Sequence, residues 1–335
     1  TACRRQRQMC IRDSMVSIDD LNDAYKRINP YIVKTPIHIS EALNKKFDSN
    51  IFLKDETKQL TGSFKIRGAL SALSKLKQNN INGVVAFSSG NHAQGVSKAA
   101  QIFDMEATIV MPEDAPKNKI EKTKKNGATI VFYKRHIESR EEIAIKLAKE
   151  LNFPLVKPFD NEDIIAGQGS FGLEVAEFFL SSDIKLDILL SCTSGGGLVA
   201  GTGIAIKHFF PDALIYPVEP FNCNDTEISL KNKTRTRLKK RDNTICDALE
   251  VEIPGEITFP INKKNCKKGL SVTDTEVIEA MKFLHQDLGI IAEPSGCVSL
   301  AAVLSRKIDV SGKNTLITIS GGNVDQNYFN KLISA

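Results

Sequence analysis

The chain lacks several features that would place it in a common class of protein. Its 335 residues contain no tryptophan and only five histidines, and no apolar run is long enough to cross a membrane. The seven cysteines show no paired metal-ligand spacing, and no secretory signal pattern is present. We therefore expect a cytoplasmic protein with free thiols and no membrane partner. A Walker-type G-K-[S/T] sequence is also missing, which disfavours a nucleotide-binding module.

The first fourteen residues, TACRRQRQMCIRDS, differ in character from the rest of the chain. They resemble a translated library-preparation adapter, so we interpret residues 1–14 as a sequencing or cloning scar that precedes a natural start at Met15. This segment carries a net charge of +3, which leaves the remainder at +2. The near-neutral balance gives no support for a nucleic-acid partner.

Strand-like and helix-like segments alternate along most of the sequence. The predicted strands are 51–56, 83–89, 106–112, 128–133, 187–193, 214–219 and 314–320, and the predicted helices include 91–103, 117–126, 138–151 and 164–180. This alternation predicts an α/β fold with parallel, twisted sheets flanked by helices. We expect two domains, a large one from residues 15–72 and 154–335 and a small, mobile one from residues 73–153.

Three predicted strands end in Ser/Gly-rich turns that open helices: AFSSGNHAQG (86–95), SCTSGGGLVAG (191–201) and ITISGGNVD (317–325). In parallel α/β sheets, ligands bind at the carboxyl ends of strands. Glycines allow close approach of the backbone, and the N–H groups at a helix start bind anions. Each turn alone is also compatible with tight helix–strand packing, but together they predict a pocket with several anion-binding positions.

A lysine occupies an unfavourable position in the stretch TGSFKIRGAL, residues 61–70. We expect a helix from Ser63 onward, with Ser63 as the N-cap, so that Lys65 lies in the first turn. The N-terminal end of a helix disfavours a protonated amine, and desolvation lowers the pKa of a lysine further. A neutral amine forms an imine with an aldehyde cofactor, so the position favours a Schiff-base lysine. Taken singly, Lys65 is also compatible with a surface lysine, and His92 with a structural histidine.

In combination and order, these motifs resemble those of the threonine/serine dehydratases and serine racemases. These are pyridoxal phosphate enzymes of the type II, tryptophan synthase β-like fold, which has two domains. The resemblance runs from Thr35 to the C-terminus, and it is nearest to the catabolic and hydroxyectoine-utilisation dehydratases. The matching segments are GSFKIRGA, SSGNHAQG, VMPEDAPKNK, PFDNEDIIAGQG, SGGGL, AEPSG and SGGN.

The resemblance implies pyridoxal 5'-phosphate as the cofactor of the large domain and a role for each site residue. Lys65 would form the Schiff base and move the Cα proton, Asn91 would bind the ring oxygen, and Ser320 would face the ring nitrogen. The implied cofactor-binding residues are Phe64, Lys65, Asn91, Ser194, Gly195, Gly196, Gly197, Leu198 and Ser320. The substrate carboxylate is expected among Ser88, Ser89, Gly90, Asn91 and His92.

Three positions depart from the family pattern. Ser194 stands where a glycine is usual, and its hydroxyl could add a bond to the phosphate. Ala248 replaces a glycine near the cofactor, which puts the shape of the substrate site in question. Ser89 stands where many dehydratases have alanine, and in the racemases a serine there acts on the opposite face of the ring. Ser89 is therefore a second candidate catalytic residue.

The resemblance also implies a divalent-cation site after the segment VEP. The candidate ligands are Glu219, Asp225 and the carbonyl of Cys223, a set that suits Mg²⁺ or Ca²⁺. A capped loop with solvated acids is the alternative interpretation.

We therefore expect an ammonia-lyase that removes water from L-threonine or L-serine to give a 2-oxo acid and ammonia. A serine or aspartate-type racemase and a 3-hydroxyaspartate dehydratase are the alternatives within this fold. A ligand-binding protein without catalysis is disfavoured because it would need neither Lys65 nor the glycine-rich turn. The resemblance further implies a homodimer that binds a small-molecule substrate.

Overall fold

The computed structural model of the chain describes residues 16–115, 117–135, 137–239 and 243–334. The predicted scar and Met15 lie outside these ranges. The strands are β1 Ile37–Ile39, β2 Asn50–Asp55, β3 Gly83–Phe87, β4 Glu106–Pro112, β5 Thr129–Tyr133, β6 Ile188–Cys192, β7 Leu214–Pro220, β8 Leu270–Val272 and β9 Asn314–Ile319. The α-helices are α1 Ile18–Ile28, α2 Glu41–Phe47, α3 Lys65–Gln78, α4 Asn91–Ile102, α5 Lys117–Lys125, α6 Arg140–Glu150, α7 Glu162–Ser181, α8 Gly197–Phe209, α9 Asp225–Asn232, α10 Thr258–Asn265, α11 Asp274–Leu288, α12 Pro294–Leu304 and α13 Gln326–Ser334.

The strands form two separate sheets. The large sheet has the order β1-β2-β9-β6-β7-β8, and its pairs are parallel except for β1 with β2. The small sheet has the order β3-β4-β5 and is wholly parallel. The predicted α/β class, with parallel sheets and a small sheet from the strands of 83–133, is confirmed. The domain boundaries stay a prediction, and the one placed after residue 72 falls inside α3.

The seven predicted strands and four predicted helices are confirmed, with ends within two residues of those observed. The short strands β1 and β8 were not anticipated. The N-cap assignment of Ser63 was wrong. The helix begins at Lys65, and the Ser63 hydroxyl is buried without a hydrogen-bond partner among the described residues. The backbone of Ser63 instead bridges to Gly321, so pairing with a distant turn overrides the local capping preference.

The two largest of four apolar clusters among the described residues hold the sheets and helices together. In the larger one, the ring of Phe179 from α7 packs edge-on against Phe52 of β2, with 4.9 Å between ring centroids. In the second, buried side chains of α3 and α4, including Leu70 and Val96, pack with Ile109 of the small sheet. Helix α3 therefore carries Lys65 at its first residue and shares an apolar cluster with α4 and the small sheet.

Four buried charges form a compact cluster behind α3. Arg67 donates from Nη2 to Glu56 Oε1 at 2.8 Å and from Nη1 to Glu174 Oε1 at 2.6 Å. Lys54 donates from Nζ to Glu174 Oε2 at 2.6 Å. The four side chains are at most 1% exposed, so each charge depends on its partners for stability. The cluster ties the first turn of α3 to β2 and α7.

Replacing Arg67 with alanine is expected to lower the free energy of unfolding by about 3–5 kcal/mol, because it leaves the buried carboxylate of Glu56 without its cation and Glu174 with Lys54 alone. Urea unfolding at neutral pH measures this loss. The matched control is Lys34→Ala, since Lys34 and Glu177 form a 2.7 Å pair that is more than half exposed. That control should cost about 0–1 kcal/mol. Equal losses in the two variants would contradict the interpretation.

Candidate active site

A cavity of about 430 Å³ lies where the carboxyl ends of strands from both sheets meet. Strands β3 and β5 reach it from the small sheet, and β6 and β9 reach it from the large sheet. All thirteen predicted cofactor- and substrate-site residues line it: Phe64, Lys65, Ser88, Ser89, Gly90, Asn91, His92, Ser194, Gly195, Gly196, Gly197, Leu198 and Ser320. The fold thus brings together motifs that are separated by up to about 250 residues of sequence.

The amine of Lys65 lies inside this cavity. Its Nζ donates to the carbonyl of Pro158 at 2.9 Å and lies 5.2 Å from the ring centroid of Phe64. Burial lowers the pKa of Lys65 to about 8, against opposing effects of Cys192 and Glu293. A substantial fraction of the amine is therefore neutral near physiological pH, and a neutral amine is a nucleophile and a base.

The glycine-rich turn forms a cradle at the start of α8. Gly196 has a φ of +92°, in the left-handed region that glycine adopts without strain. A Cβ on Gly195 would come within 2.2 Å of the Phe159 ring. The Thr258 hydroxyl and the Asn262 amide donate to the carbonyls of Gly195 and Gly196, at 2.5 and 3.1 Å. These bonds hold the turn in place.

The same turn presents unused hydrogen-bonding groups. No side chain caps the start of α8, so its first N–H groups remain available. The hydroxyl of Ser194 is buried and has no hydrogen-bond partner among the described residues. Orphaned donors of this kind, together with the helix dipole, fit a phosphate group.

A hydrogen-bonded chain of three side chains includes Asn91 and Glu293, which line the cavity. The amide of Asn91 donates to Glu293 Oε1 at 2.6 Å, and Asn323 donates to Asn91 Oδ1 at 2.9 Å. Burial and the nearby charge of Asp247 raise the pKa of Glu293 to about 7. The motif pattern did not predict Glu293 of the AEPSG segment as a site residue. Its burial beside Asn91 becomes visible only in the fold.

His92 is neutral at physiological pH. Burial and the charge of Lys65 lower its pKa to about 3, and its Nε2 donates to the carbonyl of Val156 at 3.0 Å. The structural interpretation of this histidine therefore fits its environment, although it also lines the cavity.

Sequence reasoning missed several further cavity residues. Lys119, Asp247, Arg135, Arg140 and Cys192 also line the cavity. Lys119 Nζ and Asp247 Oδ2 form an ion pair at 2.8 Å. Burial raises the pKa of the Cys192 thiol to about 11, so this cysteine is uncharged. Cys192 and Lys119 lie in the quoted segments SCTSGGGLVAG and VMPEDAPKNK, but no local pattern shows that the five side chains meet in one cavity.

Of the candidate metal ligands, Glu219 and Asp225 lie side by side outside the cavity, and the buried Cys223 precedes Asp225 by two residues. Glu219 is buried near the end of β7 and accepts the N–H groups of Thr226 and Glu227 at 3.1 and 2.9 Å. Both carboxylate oxygens of Asp225 are buried, without a hydrogen-bond partner among the described residues. Burial raises the pKa of both carboxyls, that of Asp225 to about 8. Within the described ranges, no group of three His, Cys, Asp or Glu side chains is arranged to hold a metal.

The sequence pattern of one enzyme family, described as "Pyridoxal-phosphate dependent enzyme", matches residues 28–321. The chain belongs to this family. That result confirms the resemblance found in the motifs and the fold class that it implied.

Several relatives support the assignment over nearly the whole chain. An L-threo-3-hydroxyaspartate ammonia-lyase of Saccharomyces cerevisiae is 40% identical over 316 residues, which is 94% of this chain and 95% of the yeast protein. An L-threonine ammonia-lyase of Thermotoga maritima is 36% identical, over 96% of this chain and 79% of that protein. The crystal structure of a serine racemase from Dictyostelium discoideum has a TM-score of 0.85 and 37% identity, covering 92% of this chain and 99% of that one. Among the described residues, no helix is long and apolar enough to cross a membrane.

The lowered pKa of Lys65 predicts how its reactivity depends on pH. In the cofactor-free protein, acylation of Lys65 by a small anhydride should rise with a midpoint near pH 8, because only the neutral amine reacts. An exposed lysine with an ordinary pKa would give a midpoint above about pH 10. Peptide mass spectrometry measures the labelled fraction, and a Lys65→Arg variant identifies the peptide. A midpoint at the ordinary value would show that the amine is not desolvated.

Proposed function

We propose that this member of the pyridoxal phosphate-dependent lyase and racemase family is an ammonia-lyase for β-hydroxy amino acids. The expected substrates are L-threonine and L-serine, and the products are a 2-oxo acid and ammonia. One observation carries the proposal. Lys65, whose pKa is lowered to about 8, lines the same cavity as a glycine turn that is suited to bind an anion.

The residues present fit pyridoxal phosphate. The phosphate would be held by the N–H groups of Gly195, Gly196, Gly197 and Leu198, with the orphaned hydroxyl of Ser194 as an added donor. Phe64 would pack beside the ring, Asn91 would bind the ring oxygen, and Ser320 would face the ring nitrogen. When bound, the cofactor supplies an aldehyde for the lysine amine and a conjugated ring that absorbs the charge left at Cα.

Residues of the chain itself move the proton and bind the substrate. The Lys65 amine removes the proton from the substrate Cα, a step for which a base of pKa about 8 is well matched. The substrate carboxylate is bound at the start of α4, where the N-cap Gly90 provides no side-chain cap and leaves N–H groups available. Ser88, Ser89 and Asn91 surround the same position. The small domain is proposed to close over the substrate and exclude water.

Separate observations support two alternative activities, racemisation and the elimination of water from a dicarboxylic amino acid. Ser89 lines the cavity and is the residue expected to return a proton to the opposite face of Cα, which favours some racemisation. The 40% identity to a 3-hydroxyaspartate ammonia-lyase supports a dicarboxylic substrate. We also propose a cytoplasmic homodimer as the working state.

Replacing Lys65 with alanine should abolish both the visible absorbance of the bound cofactor and the release of oxo acid. The physical reason is that the other lysine lining the described cavity, Lys119, is paired with Asp247 and does not replace the amine at the start of α3. The assay uses L- and D-serine and L-threonine, with oxo-acid release and chiral analysis of the remaining amino acid in the same sample. The matched control, Lys58→Ala, removes an exposed lysine outside the cavity and should change neither signal. A Lys65→Ala protein that stays yellow and active would refute the proposal.

A divalent cation is the second proposed cofactor, held by Glu219, Asp225 and the Cys223 carbonyl. The two buried oxygens of Asp225 beside Glu219 fit a cation, since a cation would favour the charged forms of two carboxyls whose pKa values burial raises. Mg²⁺ or Ca²⁺ chemistry suits such an oxygen-rich set. Its role would be structural, because the three residues lie outside the cavity.

Adding Mg²⁺ or Ca²⁺ to chelator-treated protein should raise its melting temperature. A cation at one hundred times its dissociation constant would add about 2.7 kcal/mol. Asp225→Asn should lose this increase, while the control Glu256→Gln, which changes an exposed carboxylate, should retain it. Identical melting temperatures with chelator and with either cation would favour the capped-loop interpretation.

A further inference from the structure

A buried glutamine on α7 has no role in the functions proposed above. Gln168 lies in the segment PFDNEDIIAGQG, for which the family resemblance implied no site residue. Its side chain belongs to a residue that is only 1% exposed. Both polar atoms of its amide, Oε1 and Nε2, lack a hydrogen-bond partner among the described residues. A buried amide is costly unless a ligand or an ordered water completes its hydrogen bonds.

Two glycines leave room for this amide. A Cβ on Gly197, the first residue of α8, would come within 2.5 Å of Gln168 Oε1. A Cβ on Gly68, three residues after Lys65 on α3, would come within 3.1 Å of Gln168 Cγ. The glutamine therefore lies between the helix that carries the amine of Lys65 and the helix that begins at the glycine-rich turn.

The amide faces the N-terminal end of α8. The Cα–Cβ bond of a helical residue is tilted towards the helix N-terminus, so the Cβ position beside Gln168 Oε1 lies on the side where the turn binds an anion. The same Cβ position is 3.2 Å from Cβ of Phe159, a residue that lines the cavity. Gln168 is not part of the cavity lining, so its amide reaches this place from behind the turn.

The chemistry of the amide matches that of a phosphate group. An ionised phosphate oxygen only accepts hydrogen bonds, and a side-chain amide has two N–H donors. A half-turn of the amide exchanges Oε1 and Nε2, and it breaks no hydrogen bond because neither atom has a partner among the described residues. Together with the orphaned hydroxyl of Ser194, the glutamine gives the start of α8 two unused side-chain donors.

We propose that Gln168 binds the phosphate group of the cofactor, with its side-chain amide donating a hydrogen bond at the start of α8. This inference rests on the proposed binding of pyridoxal phosphate, and it adds a residue from outside the glycine-rich turn. The amide is unpaired in the cofactor-free protein, so the same group that strengthens the binding of phosphate lowers the stability of that protein. A single variant tests both effects.

The test compares the binding of pyridoxal 5'-phosphate with that of pyridoxal, which lacks the phosphate group, by calorimetry on cofactor-free protein. Gln168→Met should weaken the binding of pyridoxal phosphate about tenfold, as expected for a hydrogen bond to a charged group, and change that of pyridoxal less than about twofold. Gln168→Glu keeps the shape but places a carboxylate beside the phosphate, so it should weaken pyridoxal phosphate further. The matched control is Gln94→Met, which removes a buried amide on α4 outside the cavity lining and should retain the full preference.

The melting temperature tests the second effect. In phosphate-free buffer, cofactor-free Gln168→Met should melt about 2 °C above the wild type, because a thioether replaces an unpaired buried amide. A lower melting temperature together with an equal loss of affinity for both compounds would show that Gln168 only packs the helices, which would overturn the proposal. An unchanged preference for pyridoxal phosphate in Gln168→Met would overturn it as well.

Oxo-acid release separates this inference from the proposed lyase function. If the wild-type holoenzyme releases no oxo acid from L-serine or L-threonine while Gln168→Met loses its preference for the phosphorylated compound, the lyase proposal fails and the assignment of Gln168 stands. If the holoenzyme is active and the preference persists in Gln168→Met, the assignment of Gln168 fails alone.

Discussion

An ammonium ion at the first residue of a buried helix is disfavoured twice, once by the loss of water and once by the partial positive charge of the helix end. Lys65 of this chain is in that position, and its surroundings compensate only in part. The carbonyl of Pro158 accepts one hydrogen bond, while burial still lowers the pKa to about 8. The rest of the site is arranged around an amine that loses its proton easily.

The rigidity of that amine depends on charges that never meet the substrate. Arg67 lies two residues beyond Lys65 and is fully buried between Glu56 and Glu174. A buried ion pair of this kind is weak evidence for stability in itself, because desolvation offsets much of the attraction. It does fix the direction of the first turn of α3, since a displaced Arg67 would leave the buried Glu56 unpaired and Glu174 with Lys54 alone. Any shift of the first turn of α3 would therefore cost free energy, and this keeps the amine of Lys65 in place.

Much of the fold followed from local patterns, because alternation of strands and helices and the Ser/Gly turns at strand ends are short-range signals. The strands β1 and β8 were missed since three residues are too few to show a period. Ser63 was misassigned as a cap because its pairing partner, Gly321, is remote in sequence. For the same reason, the contacts of Glu293 with Asn91 and of Arg135 with Asp114 could not be predicted: each joins loops whose proximity only the packed sheets create.

The strand order of the large sheet has a consequence for how the protein is made. Strand β9 lies between β2 and β6, although it is the last strand along the chain. During synthesis, β2 and β6 therefore leave the ribosome before residues 314–319 are made, and each has an edge whose backbone N–H and C=O groups are still unpaired. Exposed edges of this kind pair readily with other chains. A nascent or truncated polypeptide that ends before β9 would lack the central strand of its sheet, and it would be a natural client for chaperones.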